Sequence, residues 1–77
     1  MNNIQFERLM LADAVKEARK HGAKIREAWV HNTCNQWEFH YKDFYFHDRA
    51  ENAYDARAKG WEAWVAKQEI KIDFYRN

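Results

Sequence analysis

The chain has no proline, two glycines and one cysteine among its 77 residues. Cys34, being alone, forms no intramolecular disulfide, so nothing argues for a secreted, disulfide-stapled scaffold. No run of ~20 apolar residues offers a membrane helix, and no basic-then-apolar leader marks export. A reducing cytoplasm is the expected compartment. Neither sign of charge dominates: 13 basic against 12 acidic residues leave +1. That balance disfavours a general polyanion binder, whose affinity comes mainly from neutralising phosphates, and equally an acidic mimic of DNA. Protonating all four histidines would take the charge to +5. No low-complexity tract or repeat divides the chain, and 1–77 reads as a single compact domain.

What the chain has is aromatic side chains: five Phe, four Tyr and four Trp. At roughly 150–250 Å² each they can build a core in a chain that buries only ~60% of its unfolded surface. Six of them fall within Gln36–His47, where large and polar side chains alternate up to Lys42-Asp43. Alternation is the mark of a half-buried strand, because successive side chains point to opposite faces. With Lys42-Asp43 as a two-residue turn, Trp37, Phe39, Tyr41, Phe44 and Phe46 share one face. Glu38, His40, Tyr45 and His47 share the other. A slip of one residue would scramble both faces, so register and pattern support each other. Lys-Asp is not the Asn-Gly type that such turns favour, which leaves a longer connection open.

Ahead of this hairpin, Asn3–His21 reads as an amphipathic helix. Asn3 is its N-cap and Glu7 lies in the early turns. Ile4, Leu11, Ala14, Val15 and Ala18 form its apolar stripe, flanked by Phe6 and Met10. Lys20, His21 and Gly22 form a C-terminal stop. Lys24–His31 is the expected first strand, with Ala28 and Val30 inward and Trp29 outward or at an edge. Asn32-Thr33-Cys34-Asn35 is a turn by composition. After the hairpin, Asp48 opens the second helix, with Glu51 three residues on as a capping partner. Ala50, Ala53, Tyr54, Ala58, Trp61, Trp64 and Val65 supply that helix's stripe. Gly60 inside it costs ~1 kcal/mol against alanine and marks either a close approach or a bend. Ile70, Ile72 and Phe74 alternate with polar residues, so the tail is either a short fourth strand or the end of the helix.

The expected fold is therefore α+β: helix, three-stranded antiparallel meander, helix, with that open choice at the C-terminus. Two helices can roof only one side of such a sheet, and the oily Phe39 side is the one to cover. The Glu38/His40/Tyr45/His47 side is left wet. Joined by Trp29 and an exposed helix tryptophan, Trp64, it forms a candidate partner-binding surface, since Tyr and Trp anchor protein interfaces. Ordinary cross-strand pairs would produce the same residues on an open strand. Whether Trp61 or Trp64 is the exposed one stays open.

No catalytic or cofactor signature is present, and the chain is read as a non-enzyme. His31 and Cys34, three apart around a turn, are the nearest thing to a metal pair, yet zinc motifs come as two tight pairs. Arg49, Arg57 and Lys59 are candidates for contacting nucleic acid, but acids interleave them, as on a solvated helix face. An edge strand or helix face also offers a route to a homodimer. If His40 and His47 face Glu38 and Tyr45, binding should change between about pH 7 and pH 5.5, since imidazole's unperturbed pKa is ~6.5.

The element order resembles that of the double-stranded RNA-binding domain. That family's lysine cluster at the start of the second helix is replaced here by Asp48-Arg49-Ala50-Glu51-Asn52. Asn32-Thr33-Cys34-Asn35 stands in place of its histidine-bearing loop. The resemblance therefore implies topology without the RNA clamp. The segment Ala58-Lys59-Gly60-Trp61-Glu62-Ala63-Trp64 is similar to alanine-rich, tryptophan-bearing helices of small phage and prophage accessory proteins. That resemblance implies binding to a host protein, defence nucleases included, so as to block or redirect it. The expected function is thus protein binding, with nucleic-acid binding and metal binding as the alternatives.

Overall fold

The computed structural model describes the backbone of residues 3–76 and the side chains of residues 10–71. The hairpin forms where the alternation predicts it. β2 (Trp37–Tyr41) and β3 (Phe44–Asp48) pair antiparallel, with Tyr41 opposite Phe44 and Phe39 opposite Phe46. Lys42-Asp43 is indeed the two-residue connection. Lys42 adopts φ 53°, the left-handed conformation that a side-chain-bearing residue enters only when a tight reversal demands it. β1 (Trp29–Asn32) pairs with the other edge of β2, giving a meander ordered β1-β2-β3. Thr33 closes the intervening turn. Its N–H and hydroxyl donate to the Gln36 carbonyl at 2.7 and 2.6 Å, and the hydroxyl accepts the Gln36 N–H at 3.1 Å.

The first strand is shorter than the expected Lys24–His31. Ile25–Glu27 is a 3-10 turn, and pairing starts only at Trp29. Spacing explains the difference. Ile25 and Ala28 lie three apart, the period of a 3-10 helix, and both pack against the core. Alternation begins at Ala28, with Val30 inward and Trp29 54% exposed.

α1 (Asn3–Lys20) ends where Gly22 predicts. Gly22 takes φ 87°, its N–H donates to the Arg19 carbonyl at 3.0 Å, and the Ala23 N–H reaches back to Ala18 at 3.1 Å. This is the pairing that satisfies the last carbonyls of a helix closed by a left-handed glycine. The Asn3 cap and the Ile4, Phe6 and Glu7 side chains lie outside the described side chains.

α2 (Ala53–Arg76) does not begin at Asp48, which is the last residue of β3 and pairs with Trp37. Asn52 caps it instead. Its Oδ1 accepts the Asp55 N–H at 2.9 Å, its carbonyl takes the first helical bond from Ala56, and Asp55 accepts the Glu51 N–H at 3.1 Å. The same cap-x-x-acid arrangement has moved four residues on, because the sheet claims Asp48. The C-terminal alternation is helix, not a fourth strand: α2 runs unbroken to Arg76, and Ile70 is exposed on it. The Ile72 and Phe74 side chains lie outside those described.

α2 crosses all three strands on the Phe39 side, and α1 packs mainly on α2. Ala14 and Ala18, both buried, let α1 approach closely and join Phe39, Tyr41, Trp61, Trp64 and Val65 in one core. Phe39 and Trp61 are each 1% exposed, with ring centroids 4.9 Å apart at 73°. The Tyr41 hydroxyl accepts the Lys24 N–H at 2.9 Å, tying the 3-10 segment to β2. Gly60 faces Phe39 directly, so the glycine serves the close approach of a strand rather than a bend.

Candidate functional site

With both helices on the Phe39 side, the other side of the sheet is bare, and the register builds a grid there. One row runs Trp29–His40–Tyr45 across the three strands, and the next runs His31–Glu38–His47. Trp29 stacks flat on His40, with centroids 3.9 Å apart and planes 5° from parallel. Tyr45 meets His40 edge-on at 4.9 Å and lies tilted against His47 at 5.7 Å. Trp29 and Tyr45 remain 54% and 50% exposed, so the row is held from beneath and open above.

Glu38 is the electrostatic centre of the grid. His40 Nε2–H donates to its carboxylate at 3.1 Å. The hydrogen bond from His40, then that from Tyr45, holds the Glu38 carboxyl below its ordinary 4.5; partial burial opposes this, and the charges of His40 and His31 assist. Partial burial first, then the bond to Glu38 and its charge, raises the Tyr45 phenol above 10.0. At the rim, His47 Nδ1–H donates to Gln36 Oε1 at 2.8 Å.

The sign of the Glu38 effect fixes its pH window. A carboxyl whose pKa is lower folded than unfolded stabilises fully above the unfolded value, and that contribution is lost as pH falls through the folded one. The urea midpoint should therefore fall on acidification from about pH 5 to about pH 3, and Glu38→Gln should flatten part of that slope. An unchanged acid slope in Glu38→Gln would remove Glu38 from the hub. Tyr45 acts at the other end: its contribution is present below its ordinary value and lost as pH rises through the raised one.

Of the residues expected at a partner surface, Trp29, Glu38, His40, Tyr45 and His47 come together here. Trp64 does not. It is 9% exposed and packs edge-on against Tyr41 at 5.6 Å and against Trp61 at 5.6 Å. Both tryptophans are core because α2 is sandwiched between α1 and the sheet, which gives it two inward faces. His31 belongs to the face although only the metal pairing singles it out in the sequence. Its signal was available: once Trp29 points outward, a period of two carries His31 outward with it.

The basic candidates do not gather. Lys59 Nζ donates to the Arg49 carbonyl at 2.7 Å and pairs with Asp55 at 3.4 Å, so its charge is used inside the loop-to-helix junction. Arg57 lies apart from them, at the seam between α1, α2 and β1. Cys34 is exposed and free in the β1–β2 turn. Among the described residues, no group of three or more His, Cys, Asp or Glu side chains is placed to hold a metal ion. Nor is any helix among them long and apolar enough to cross a membrane. Set against protein-family models, curated proteins and solved structures, the chain matches none.

Proposed function

We propose that the chain is a non-catalytic protein-binding module whose docking surface is the bare face of the sheet. One observation carries this: three aromatic rings in a single cross-strand row, two of them half exposed and both locked against His40. Rings already fixed in place lose little side-chain freedom on binding, and large aromatic anchors dominate the energy of protein interfaces. Glu38 and the imidazoles around it supply a polar setting that would orient a partner. The phage-type resemblance of Ala58–Trp64 would make that partner a host protein, met in the reducing cytoplasm that suits a free Cys34.

The test starts with affinity capture from the native host and continues with the purified partner. Trp29→Ala and Tyr45→Ala should each weaken binding by roughly tenfold to a hundredfold, as interface hot spots do. Far-ultraviolet circular dichroism and a cooperative urea transition should show the fold intact in both. Wild-type affinity in both variants would refute the surface.

A second reading, nucleic-acid binding, is favoured by Lys42, Lys67 and Lys71, which border a cleft beside the hairpin turn rather than the arginines of the helix face. It requires affinity that falls steeply with salt. Retention of the partner at high salt decides for the protein.

A further inference from the structure

The seam between α1, α2 and the β1 edge contains a cavity of about 330 Å³. Leu11 and Val15 of α1, Ile25 of the 3-10 turn, and the buried Phe39 and Trp61 make it largely apolar. Two arginines also line it: Arg26 from the 3-10 turn and Arg57 from the first half of α2. Among the described residues no acid lines the cavity, and neither guanidinium forms an ion pair. The size falls at the lower end of small-ligand sites, ~300–1,000 Å³.

These features call for one kind of occupant. The pocket is open to solvent on one side, and its apolar walls gain dispersion contacts when an apolar body covers them. A guanidinium is weakly hydrated for a cation and matches a carboxylate with two parallel hydrogen bonds. A ligand that satisfies both needs an apolar body and a single anionic head. A phosphate or other compact anion would leave the apolar wall unfilled. A neutral hydrocarbon would make no use of either guanidinium.

We propose that this cavity is a binding site for a small amphipathic carboxylate of the fatty-acid type, its chain among Leu11, Val15, Ile25 and Trp61 and its head at Arg26 and Arg57. The site borders the bare sheet face at Trp29, which lines both, and it does not depend on any protein partner.

The test is titration of sodium decanoate into the isotope-labelled full chain near neutral pH, followed by amide chemical shifts. The expected result is saturable binding with shifts centred on Arg26, Ala28 and Arg57. Decanol, with the same chain and no charge, should bind at least about tenfold more weakly, and decylamine more weakly still. Arg26→Gln and Arg57→Gln, both at exposed positions, should each weaken decanoate by roughly tenfold, about 1.4 kcal/mol. Ala28→Leu, which pushes a larger side chain into the cavity, should abolish binding. Absence of saturable shifts up to about 1 mM, the weak end of specific affinity, would overturn the site. So would equal affinity for decanol and decanoate, or shifts confined to His40, Tyr45 and His47. Partner binding is measured without decanoate, so either proposal can fail without the other.

Discussion

Gly60→Ala is expected to destabilise the protein, although helix propensity alone predicts the reverse. In an exposed helix interior, alanine gains ~1 kcal/mol over glycine. Here a β-carbon at position 60 would fall well inside van der Waals contact of Phe39 Cγ and Cδ2 and lie 2.7 Å from Phe39 Cβ. Retreat is hard for that ring. Phe39 is 1% exposed, and Trp61 and Phe44 stand 4.9 and 6.1 Å away, centroid to centroid. Overpacking of this kind costs typically 1–3 kcal/mol and sometimes more. With the ring atoms Cγ and Cδ2 struck hardest and little room behind them, the upper end applies, so a net loss of roughly 2 kcal/mol remains after the propensity gain. For a domain of this size that is a fall of roughly 8–16 °C in Tm. A Gly60→Ala protein as stable as the wild type, or more so, would mean that α2 and β2 do not meet at this point.

The same contact shows what could be read in the chain and what could not. The hairpin was legible because its signal is local: a period of two on both sides of Lys42-Asp43 leaves one register that keeps Phe39 and Phe46 on one face. The end of α1 was legible for a similar reason, since Gly22 follows two basic residues at the last turn. The start of α2 was not. Asp48/Glu51 and Asn52/Asp55 are both competent caps, and only the pairing of Asp48 with Trp37 across the sheet decides between them.

Trp64 failed for a reason of the same kind. A helix lying between another helix and a sheet needs two apolar faces, so tryptophans three apart can both be core. Nothing in the local pattern says whether α1 will pack on α2 or beside it. The alternation from Ile70 onward fits either period, and the helix simply continues beyond the sheet. On the bare sheet face, five residues were legible from the hairpin pattern and the outward Trp29. The grid that joins them to His31, with Glu38 at its centre, is a property of cross-strand register. The Arg26–Arg57 cavity draws on five separate elements, so no local signal could have marked it.

Phe39→Ala is expected to cost about 3–5 kcal/mol, the range for truncating a buried phenylalanine. Total stability at this length is about 4–12 kcal/mol, from 0.05–0.15 kcal/mol per residue. This single truncation therefore removes a large part of what holds the chain folded. Its more telling use is in combination. Phe39→Ala deletes Cγ and Cδ2, the atoms that a β-carbon at position 60 would strike hardest, and leaves the Phe39 β-carbon in place. In the Phe39→Ala background, Gly60→Ala should then lose most of its penalty and cost less than about 1 kcal/mol, because packing strain falls while the propensity gain persists. The double mutant should be more stable than the sum of the singles predicts, with a coupling of about 1–3 kcal/mol, the scale seen for residues in direct contact. Urea denaturation of the four proteins, with matching m values, measures it. Simple additivity would mean that ring and glycine do not touch, and the seating of α2 on the sheet would then have to be redrawn.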